Sequence, residues 1–396
     1  MTAEAADTAD LDIHASGAYE NGPCIWSRLR EQEGLAWSPR YGGFYVAARY
    51  EDALQVLTKP GVFGSGKGIT LPPPDGIRSF HIPAEIDPPL HGEYRALMQP
   101  QLDADRARSM EPAIREIVDV LVERLPLDTP FDFVRAFARP LPIMVALDIM
   151  RLDRGHAAEL EDMVEDLHRE VATGMPTGAA ERLKRFAEHV LAQRRRTLRD
   201  EDDDVVASIL RGSVEGRALG AEEQMSMLRQ ILVGGFDTTA IALATMMKWL
   251  AENPQEVARL RANPGLIDSA SEEIVRFASP STYLRREVME PVELAGTKLE
   301  RGDSVLVAFA AANRDPAKFA CPEEIDAQRR PNMHLGFGAG RHRCVGSFVA
   351  KAQMRIAFAQ LLERFEAFEL DAAEPIAYST GLGQGIVSMT MRLRAR

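Results

Sequence analysis

The stretch FGAGRHRCVG, residues 337 to 346, places a single cysteine among glycines and basic side chains. Cys344 is followed by VGSFVAKAQMRIAFAQLLERF, whose apolar residues recur at helical spacing, so the thiol stands just before a helix N-terminus. Free backbone N–H groups, the positive end of the helix dipole and the neighbouring arginines all favour a thiolate there. Gly338 and Gly340 permit a tight turn, and Gly346 lets a flat group approach the backbone. This cysteine loop therefore predicts a thiolate that acts as a ligand.

A thiolate held in this way is suited to the axial ligation of haem iron. From the residues alone, three other interpretations of Cys344 stay open. It can be a buried structural cysteine, or a cysteine–histidine nucleophile, although no third orienting group accompanies it. It can also belong to a zinc site, but the candidate ligands lack paired-ligand spacing: Cys321, His334, His342 and Cys344.

A second motif, ILVGGFDTTA, lies at 231–240 in the middle of a helix expected over 221–252. The two adjacent glycines each cost roughly 1 kcal/mol relative to alanine in a helix. A close crossing of two helices explains Gly234 and Gly235, but it leaves the charge of Asp237 in an apolar helix unexplained. Thr238 can bond the carbonyl four residues back. An acid and an alcohol at this place form a plausible proton-delivery pair.

Two further motifs contain charged side chains on one helical face. EEIVRF places Glu273 and Arg276 three residues apart, which by itself is typical of a surface ion pair. DPPLHGEYRALM places His91 and Arg95 four residues apart. The second pair is either part of a solvated face or a clamp for a dianionic ligand.

Composition narrows the class of protein. The chain has 396 residues, of which 45% are hydrophobic, and this content is ample for a core. Its formal net charge of −12 argues against nucleic-acid binding and against anionic membranes. The three cysteines, Cys24, Cys321 and Cys344, are far apart and indicate a reducing compartment. The acidic start has no signal-peptide pattern and no long apolar run is present, so we expect a cytoplasmic protein without a membrane span.

The architecture expected from periodicity is mainly α with a minor β part, in a single domain over 1–396. Residues 42–48 read as a strand followed by a helical YEDALQVL, and 292–311 reads as a hairpin. The glycine- and proline-rich stretch 62–89 is typical of a lid or binding loop. Helices are expected over 107–125, 141–150, 155–172, 178–198, 221–252, 255–262, 267–278 and 345–365.

Taken in this order, the four motifs resemble the cytochrome P450 superfamily of haem-thiolate monooxygenases, over nearly the whole chain. The resemblance implies the cytochrome P450 fold, with haem b buried between the long central helix and the helix that follows the cysteine loop. It makes Cys344 the proximal iron ligand and gives Asp237 and Thr238 the relay of protons during dioxygen activation. Glu273 and Arg276 correspond to a buried structural ion pair, with Arg329 a third member. The positions implied to bind the cofactor are His91, Arg95, Arg286, Phe337, Gly338, His342 and Gly346.

The likeness is greatest to soluble bacterial members of the camphor-hydroxylase type. It implies insertion of one oxygen atom of O2 into a C–H bond of a medium-sized apolar substrate. Phe236 departs from the smaller or polar group that many members carry at this position. Residues expected to line the substrate pocket are Ile69, Leu71, Ile82, Leu232, Phe236, Thr282, Tyr283, Leu284 and Leu382. A peroxide-driven enzyme and a non-catalytic haem carrier or sensor are the alternatives.

A chain of this length has no room for a fused flavin or iron–sulfur domain. Electrons are therefore expected from a separate ferredoxin and its NAD(P)H-dependent reductase. The stretch 329–351 has five basic residues and no acid, although the chain as a whole is acidic. Such a spot steers an acidic partner to itself. We expect the ferredoxin to dock here, with Arg341 or Arg343 at the contact.

Overall fold

The computed structural model describes residues 11–14, 22–71, 81–173, 175–379 and 383–396. Leu382 and residues 72–80 of the expected lid lie outside the described residues. The helices of the described chain are α1 Gly22–Glu31, α2 Tyr50–Thr58, α3 Leu90–Met98, α4 Ala104–Glu123, α5 Pro140–Ile149, α6 Ala157–Thr173, α7 Ala179–Thr197, α8 Val205–Arg211, α9 Ala221–Glu252, α10 Pro254–Ala262, α11 Ile267–Ala278, α12 Phe309–Ala312 and α13 Ser347–Arg364. The prediction of a mainly helical fold is confirmed.

The longer helices coincide with the segments of helical periodicity. α9 and α11 have the expected bounds, and α13 begins at Ser347, directly after the cysteine loop. The helices α1, α8 and α12 have no counterpart among the expected ones. They contain ten, seven and four residues, so each offers too few turns for a periodic pattern to stand out.

The strands of the described chain are short: β1 Ala36–Ser38, β2 Phe44–Ala47, β3 Phe63–Gly64, β4 Phe131–Asp132, β5 Ser213–Val214, β6 Arg217–Ala218, β7 Leu284–Val288, β8 Val292–Leu294, β9 Thr297–Leu299, β10 Ser304–Val307, β11 Phe365–Leu370, β12 Ala377–Tyr378, β13 Ile386–Ser388 and β14 Thr390–Ala395. The largest sheet has the order β1-β2-β10-β7-β3. Its strand β7 holds Leu284 and Arg286, so this sheet positions two of the predicted site residues.

The predicted hairpin over 292–311 is wrong in its extent. β8 and β9 form a hairpin that ends at Leu299, with Leu294 paired to Thr297. The third apolar run becomes β10, which pairs antiparallel with β7 and parallel with β2. The residues of β10 are nearly all buried, so the run gains more by burial between two strands of the main sheet than by extending the hairpin.

The two helices that carry motifs, α9 and α13, are core helices. α9 is long and apolar enough to cross a membrane by length and composition, but 67% of its apolar window is buried inside the protein. No other helix in the described part of the chain meets that test. α13 is buried over most of its circumference rather than along one stripe, because it packs against α4, α11 and α9. The main hydrophobic core surrounds both helices.

Side-chain caps fix where several helices start. The Asp103 carboxylate accepts a hydrogen bond from the backbone N–H of Arg106 at 2.9 Å, and Asp204 caps α8 in the same way. At the start of α9, the Glu223 carboxylate accepts from the N–H of Gly220 at 2.7 Å. These bonds set the register of α4, α8 and α9, and in α9 they thereby set the direction in which its motif residues point.

Candidate functional site

The cysteine loop is a tightly constrained turn. The Cys344 N–H donates to the Phe337 carbonyl at 2.8 Å, which closes the loop on itself. Gly338 and Gly340 have φ of 69° and 67°, in the left-handed region that glycine tolerates. A Cβ on residue 340 would lie 2.5 Å from the carbonyl oxygen of Leu57. Gly340 therefore allows the loop to rest directly on the end of α2.

The Cys344 thiol combines accessible surface with dense protein surroundings. Burial raises the pKa of Cys344, whereas the backbone N–H groups of Gly346 and Ser347 and the charges of Arg95 and Arg343 lower it. The effect of burial is the largest, so the net shift of the Cys344 pKa is upward. The sequence-based expectation that the loop alone favours a thiolate is thus only partly right, because a stable thiolate here also needs a coordinated cation.

Four predicted anion-binding groups come together beside the loop, although they derive from three separate segments. The rings of His91 on α3 and His342 lie 4.1 Å apart between centroids. Arg286 on β7 is buried, and its charge lowers the pKa of both histidines. Arg95 lies one turn after His91 and acts on the same two rings. The structure therefore brings His91, Arg95, Arg286 and His342 into one cluster.

Burial is the largest cause of the pKa shifts in this cluster. Together with the nearby arginine charges, burial lowers the pKa of His91 to about 4 and that of His342 to about 3. Burial also lowers the pKa of Arg286 to about 10. Both histidines are therefore neutral at pH 7, while the arginines stay charged.

The arginines of this region have no carboxylate partner at ion-pair distance among the described residues. Arg95 donates to the Gln99 amide at 3.0 Å and Arg286 to the carbonyl of Arg285 at 2.9 Å. Arg341 and Arg343 likewise form no ion pair within the described ranges, although the chain carries more acids than bases. Several buried or half-buried cations without counter-charges are costly unless an anionic ligand completes them.

Two residues of this region were missed by the sequence reasoning. Asp87 accepts hydrogen bonds from the N–H and the hydroxyl of Ser65, at 2.7 and 3.0 Å, and from the N–H of Gly66 at 3.0 Å. Its charge raises the pKa of His91 and His342, so it partly offsets the arginines. Arg341 is the second, because its charge acts on His91. Asp87 belongs to the DPPLHGEYRALM motif, but its position beside the two histidines becomes apparent only in the structure, where its carboxylate binds Ser65.

The α9 motif opens a short accessible stretch in an otherwise buried helix. Gly234 is exposed and Asp237 and Thr238 are half-buried, while Phe236 is packed in the core. The Thr238 hydroxyl donates to the Gly234 carbonyl at 3.4 Å, as the sequence suggested. The helix nevertheless continues without a break from Ala221 to Glu252. An acid and a hydroxyl thus stand together at an opening in the core.

Glu273 and Arg276 form a fully buried, bidentate ion pair with both N–O distances at 2.8 Å. Arg329 donates to the same carboxylate at 2.9 Å, and so does the Asn332 amide. Arg276 also donates to the carbonyls of Asn313, Pro322 and Glu324. The pair is therefore not a surface contact but the tie between α11 and the loop that leads to the cysteine loop.

The residues expected to line a substrate pocket differ in accessibility. Ile69 and Leu284 keep partial exposure. The remaining described ones are packed against neighbours with at most 2% exposure: Leu71, Ile82, Leu232, Phe236, Thr282 and Tyr283. Among these, the Thr282 hydroxyl and the Tyr283 hydroxyl are buried without a hydrogen-bond partner. The pocket assignment stays a prediction.

The residues present fit a haem group. An accessible thiol stands before the N-terminus of α13, and unpaired arginines with two neutral histidines converge beside it, as a flat iron group with two carboxylates requires. The zinc alternative has no matching geometry, since within the described ranges no three His, Cys, Asp or Glu side chains are grouped to hold a metal ion.

Comparison with known proteins agrees with this geometry. The cytochrome P450 family model matches residues 50–389. The linalool 8-monooxygenase of Pseudomonas putida is 30% identical, over 87% of this chain and 89% of its own. The cytochrome P450 monooxygenase PikC of Streptomyces venezuelae is 32% identical, over 97% and 94%.

Solved structures give the same result for the fold. Cytochrome P450 CYP109Q5 from Chondromyces apiculatus superposes with a TM-score of 0.85 at 25% identity, covering 98% of this chain and all of its own. The hydroxylase HmtN superposes with a TM-score of 0.84 at 27% identity, over 94% and 96%. Relatives named as monooxygenases and hydroxylases identify the enzyme class as an oxidoreductase with a haem-thiolate cofactor. The chain belongs to the cytochrome P450 family.

Proposed function

We propose that this P450 holds haem b through Cys344 and inserts one oxygen atom of O2 into a C–H bond of a medium-sized apolar substrate. The observation that carries the proposal is the accessible Cys344 thiol beside a cluster of arginines that have no carboxylate at ion-pair distance among the described residues. Bound haem supplies the activation of dioxygen. The chain's own residues bind the cofactor, balance its charge and deliver protons.

The charged residues bind and orient the cofactor. Arg95 and Arg286 balance the two propionate charges, and the neutral rings of His91 and His342 donate hydrogen bonds to them. Arg341 adds a further charge on the same side, since it acts on His91. The N–H groups of Gly346 and Ser347 point at the Cys344 sulfur and stabilise its negative charge.

Asp237 and Thr238 on α9 hold protons and pass them on during the reaction. Their side chains stand where α9 is accessible, and the Thr238 hydroxyl is oriented by the Gly234 carbonyl. A hydroxyl held in this way passes a proton on to the reacting oxygen while the carboxyl group of Asp237 supplies the next one.

The substrate is a medium-sized hydrophobic molecule of terpenoid, aromatic or fatty-acid type. Support comes from the apolar character of the residues expected at the pocket, Ile69 and Leu284 among them. A relative named for linalool supports a compound of similar size.

Electrons come from an acidic ferredoxin and its NAD(P)H-dependent reductase in the cytoplasm. A surface groove of about 540 Å³ lies between α4, α11 and α13, on the side of the chain that carries the cysteine loop. Arg108, Arg330 and Lys351 line it, together with the exposed ring of Phe348. Three carboxylates also line it, those of Glu111, Asp268 and Glu272. The Arg343 guanidinium lies 5.9 Å from the centre of the Phe348 ring. We assign the docking of the ferredoxin to this groove, with Arg343 rather than Arg341 at its rim.

The proposal is tested by the carbon monoxide complex of the reduced protein. The wild-type protein is expected to show the thiolate-type absorption band, and Cys344→Ala is expected to lose it because no other residue provides the ligand. Cys321→Ala and Cys24→Ala are the controls and should keep the band. A thiolate-type band in the Cys344 variant would refute the assignment.

A further inference from the structure

Two consecutive glutamates on α11 take part in different networks. Glu273 binds Arg276 and Arg329, as described above. Glu272 instead faces the cysteine loop, where its carboxylate accepts from Nε2 of His334 at 2.9 Å and from Nζ of Lys351. The family motif accounts for Glu273 but assigns nothing to Glu272.

His334 passes the influence of Glu272 on to the cysteine loop. Its Nδ1 accepts a hydrogen bond from the N–H of Gly336 at 3.0 Å, so this nitrogen carries no proton and Nε2 must be the donor to Glu272. A Cβ on residue 336 would lie 2.8 Å from the side chain of Val275. The start of the loop therefore rests directly on α11, and its backbone is fixed through one histidine.

Lys351 acts on the same loop from the other side. Its ammonium lies 5.2 Å from the centre of the Phe337 ring, at cation–π distance, and the His334 ring centre lies 5.8 Å from that of Phe337. The Phe337 carbonyl accepts from the Cys344 N–H. Both partners of Glu272 thus contact the residue whose carbonyl bonds the ligand cysteine.

The carboxylate of Glu272 is well suited to this task. Burial by itself would raise its pKa, but the hydrogen bonds from His334 and Lys351 together lower the pKa below its usual value. The group is therefore ionised at pH 7, and it makes charge-assisted hydrogen bonds, which are stronger than neutral ones.

We propose that Glu272 is a positioning residue that fixes the cysteine loop from beneath through His334 and Lys351 and so keeps the Cys344 thiolate in place as a ligand. This inference rests on the proposed function, because it requires that Cys344 ligate haem iron. It predicts that substitutions of Glu272 accelerate the loss of the thiolate ligand more than they lower the free energy of unfolding of the whole protein.

The test uses the loaded protein and two variants of different severity. Glu272→Leu removes both contacts, whereas Glu272→Gln keeps an acceptor for His334 but loses the charge that holds Lys351. The measured quantity is the rate at which the thiolate-type carbon monoxide band converts to the form that has lost the thiolate. We expect conversion about tenfold faster or more in Glu272→Leu, and a smaller acceleration in Glu272→Gln, as for loss of charge-assisted hydrogen bonds.

Asp268→Asn is the matched control. Asp268 stands on the same helix as Glu272, and both residues line the surface groove between α4, α11 and α13. Asp268 pairs with Arg355 at 3.5 Å and makes no hydrogen bond or ion pair with the cysteine loop among the described residues. This variant should convert at the wild-type rate. Equal conversion rates in wild type and both Glu272 variants would overturn the proposal, and so would equal acceleration by Asp268→Asn, which would indicate a general effect of charge.

A second measurement covers the case in which Glu272→Leu fails to fold. His334→Gln should then accelerate conversion, and combining it with Glu272→Gln should add less than the two single effects, since both act through one hydrogen-bonded chain. Fully additive effects would contradict the proposal. A wild-type protein without a thiolate-type band would instead refute the proposed function itself, so the two failures are distinguishable.

Discussion

At the scale of single residues, the site is governed by charges placed in a poorly solvated environment. Cys344 is accessible to a ligand, but its burial opposes ionisation more than the surrounding N–H groups and arginines favour it. His91 and His342 are held neutral by the same burial. The result is a site that presents a thiol on one side and unpaired guanidinium groups on the other, and an iron group with carboxylates satisfies both.

The pair on α9 gives the first prediction. Thr238→Ala should keep substrate binding but divert electrons to peroxide, because the hydroxyl that passes on the proton is lost. Asp237→Asn should slow turnover, since a positioned proton relay contributes about 10²–10⁴-fold in rate. Product formed per electron consumed measures the first effect, and turnover at saturating substrate measures the second.

Thr245→Ala is the matched control for the Thr238 variant. Thr245 lies on the same helix and makes the same kind of bond, to the Ile241 carbonyl at 2.8 Å, but it is buried in the core. It should keep the coupling of electrons to product. Tight coupling in Thr238→Ala would show that another group delivers the proton.

The buried His81 should make the free energy of unfolding depend on pH. Burial, with a contribution from Arg229, lowers the pKa of His81 from 6.5 to about 4. The unfolded chain therefore binds a proton more readily than the folded one, and stability falls as pH drops from about 6.5 to about 4. His81→Gln should flatten that part of the curve of unfolding free energy against pH.

The exposed His189 provides the comparison for this experiment. His189→Gln should leave the slope between pH 6.5 and 4 as it is in the wild-type protein. A His81→Gln variant with an unchanged slope would mean that other groups account for the acid sensitivity.

At the scale of elements, α11 organises the side of the molecule that holds the cysteine loop. Through Arg276 it donates to three backbone carbonyls of the loop between α12 and the cysteine loop, while Glu273 accepts from Arg329 and Asn332. A long irregular segment is thereby fixed by one helix. The neighbouring α13 then begins at Ser347, shortly after Cys344.

Arg276→Met should be severely destabilising. The change removes one of the two guanidinium groups that balance the Glu273 carboxylate, which has 0% exposure. It also leaves three backbone carbonyls of the loop without their donor. Breaking a buried pair in this way costs about 3–5 kcal/mol. Urea unfolding of the purified protein measures the loss, or the yield of folded protein does so where the variant does not fold.

Arg259→Met provides the control, because Arg259 forms an i,i+3 pair with Glu256 on α10 that is partly exposed. Such a pair contributes about 0–1 kcal/mol, so its loss should move the unfolding midpoint little. Similar midpoints for the two variants would contradict a structural role for the buried pair.

At the scale of the whole molecule, the distribution of charge separates two basic regions on an acidic protein. One region faces the candidate cofactor site and includes Arg95, Arg286 and Arg341. The other lies at the surface groove, where Arg330 and Phe348 line the wall and the Arg343 guanidinium lies 5.9 Å from the centre of the Phe348 ring. The sequence alone joined Arg341 and Arg343 in one docking region. In the structure the charge of Arg341 acts on His91, whereas Arg343 lies near the Phe348 ring and its charge also acts on Cys344.

Charge reversal distinguishes the two regions. Arg343→Glu and Arg330→Glu should slow reduction by an acidic ferredoxin and weaken its dependence on ionic strength, because electrostatic steering is lost. Arg341→Glu should instead weaken the retention of haem, since its charge acts beside His91. Stopped-flow reduction and haem transfer to an acceptor protein measure the two effects.

Arg301→Glu changes the charge by the same amount on the exposed turn between β9 and β10. It should leave both rates unchanged. Normal reduction rates at low salt in the Arg343 and Arg330 variants would place the docking site elsewhere on the surface.

The sequence by itself determined the features that local pattern carries: the cysteine loop before α13, the acid and alcohol within α9, and the helical class of the fold. Each depends on neighbours in the chain, on turn-forming glycines or on helical spacing. Only the tertiary structure decided that Asp87 folds back onto Ser65 beside the two histidines, that β10 leaves the hairpin for the main sheet, and that burial raises the pKa of Cys344. The physical reason is that burial and the meeting of distant charges depend on how elements pack, which no local pattern of residues records.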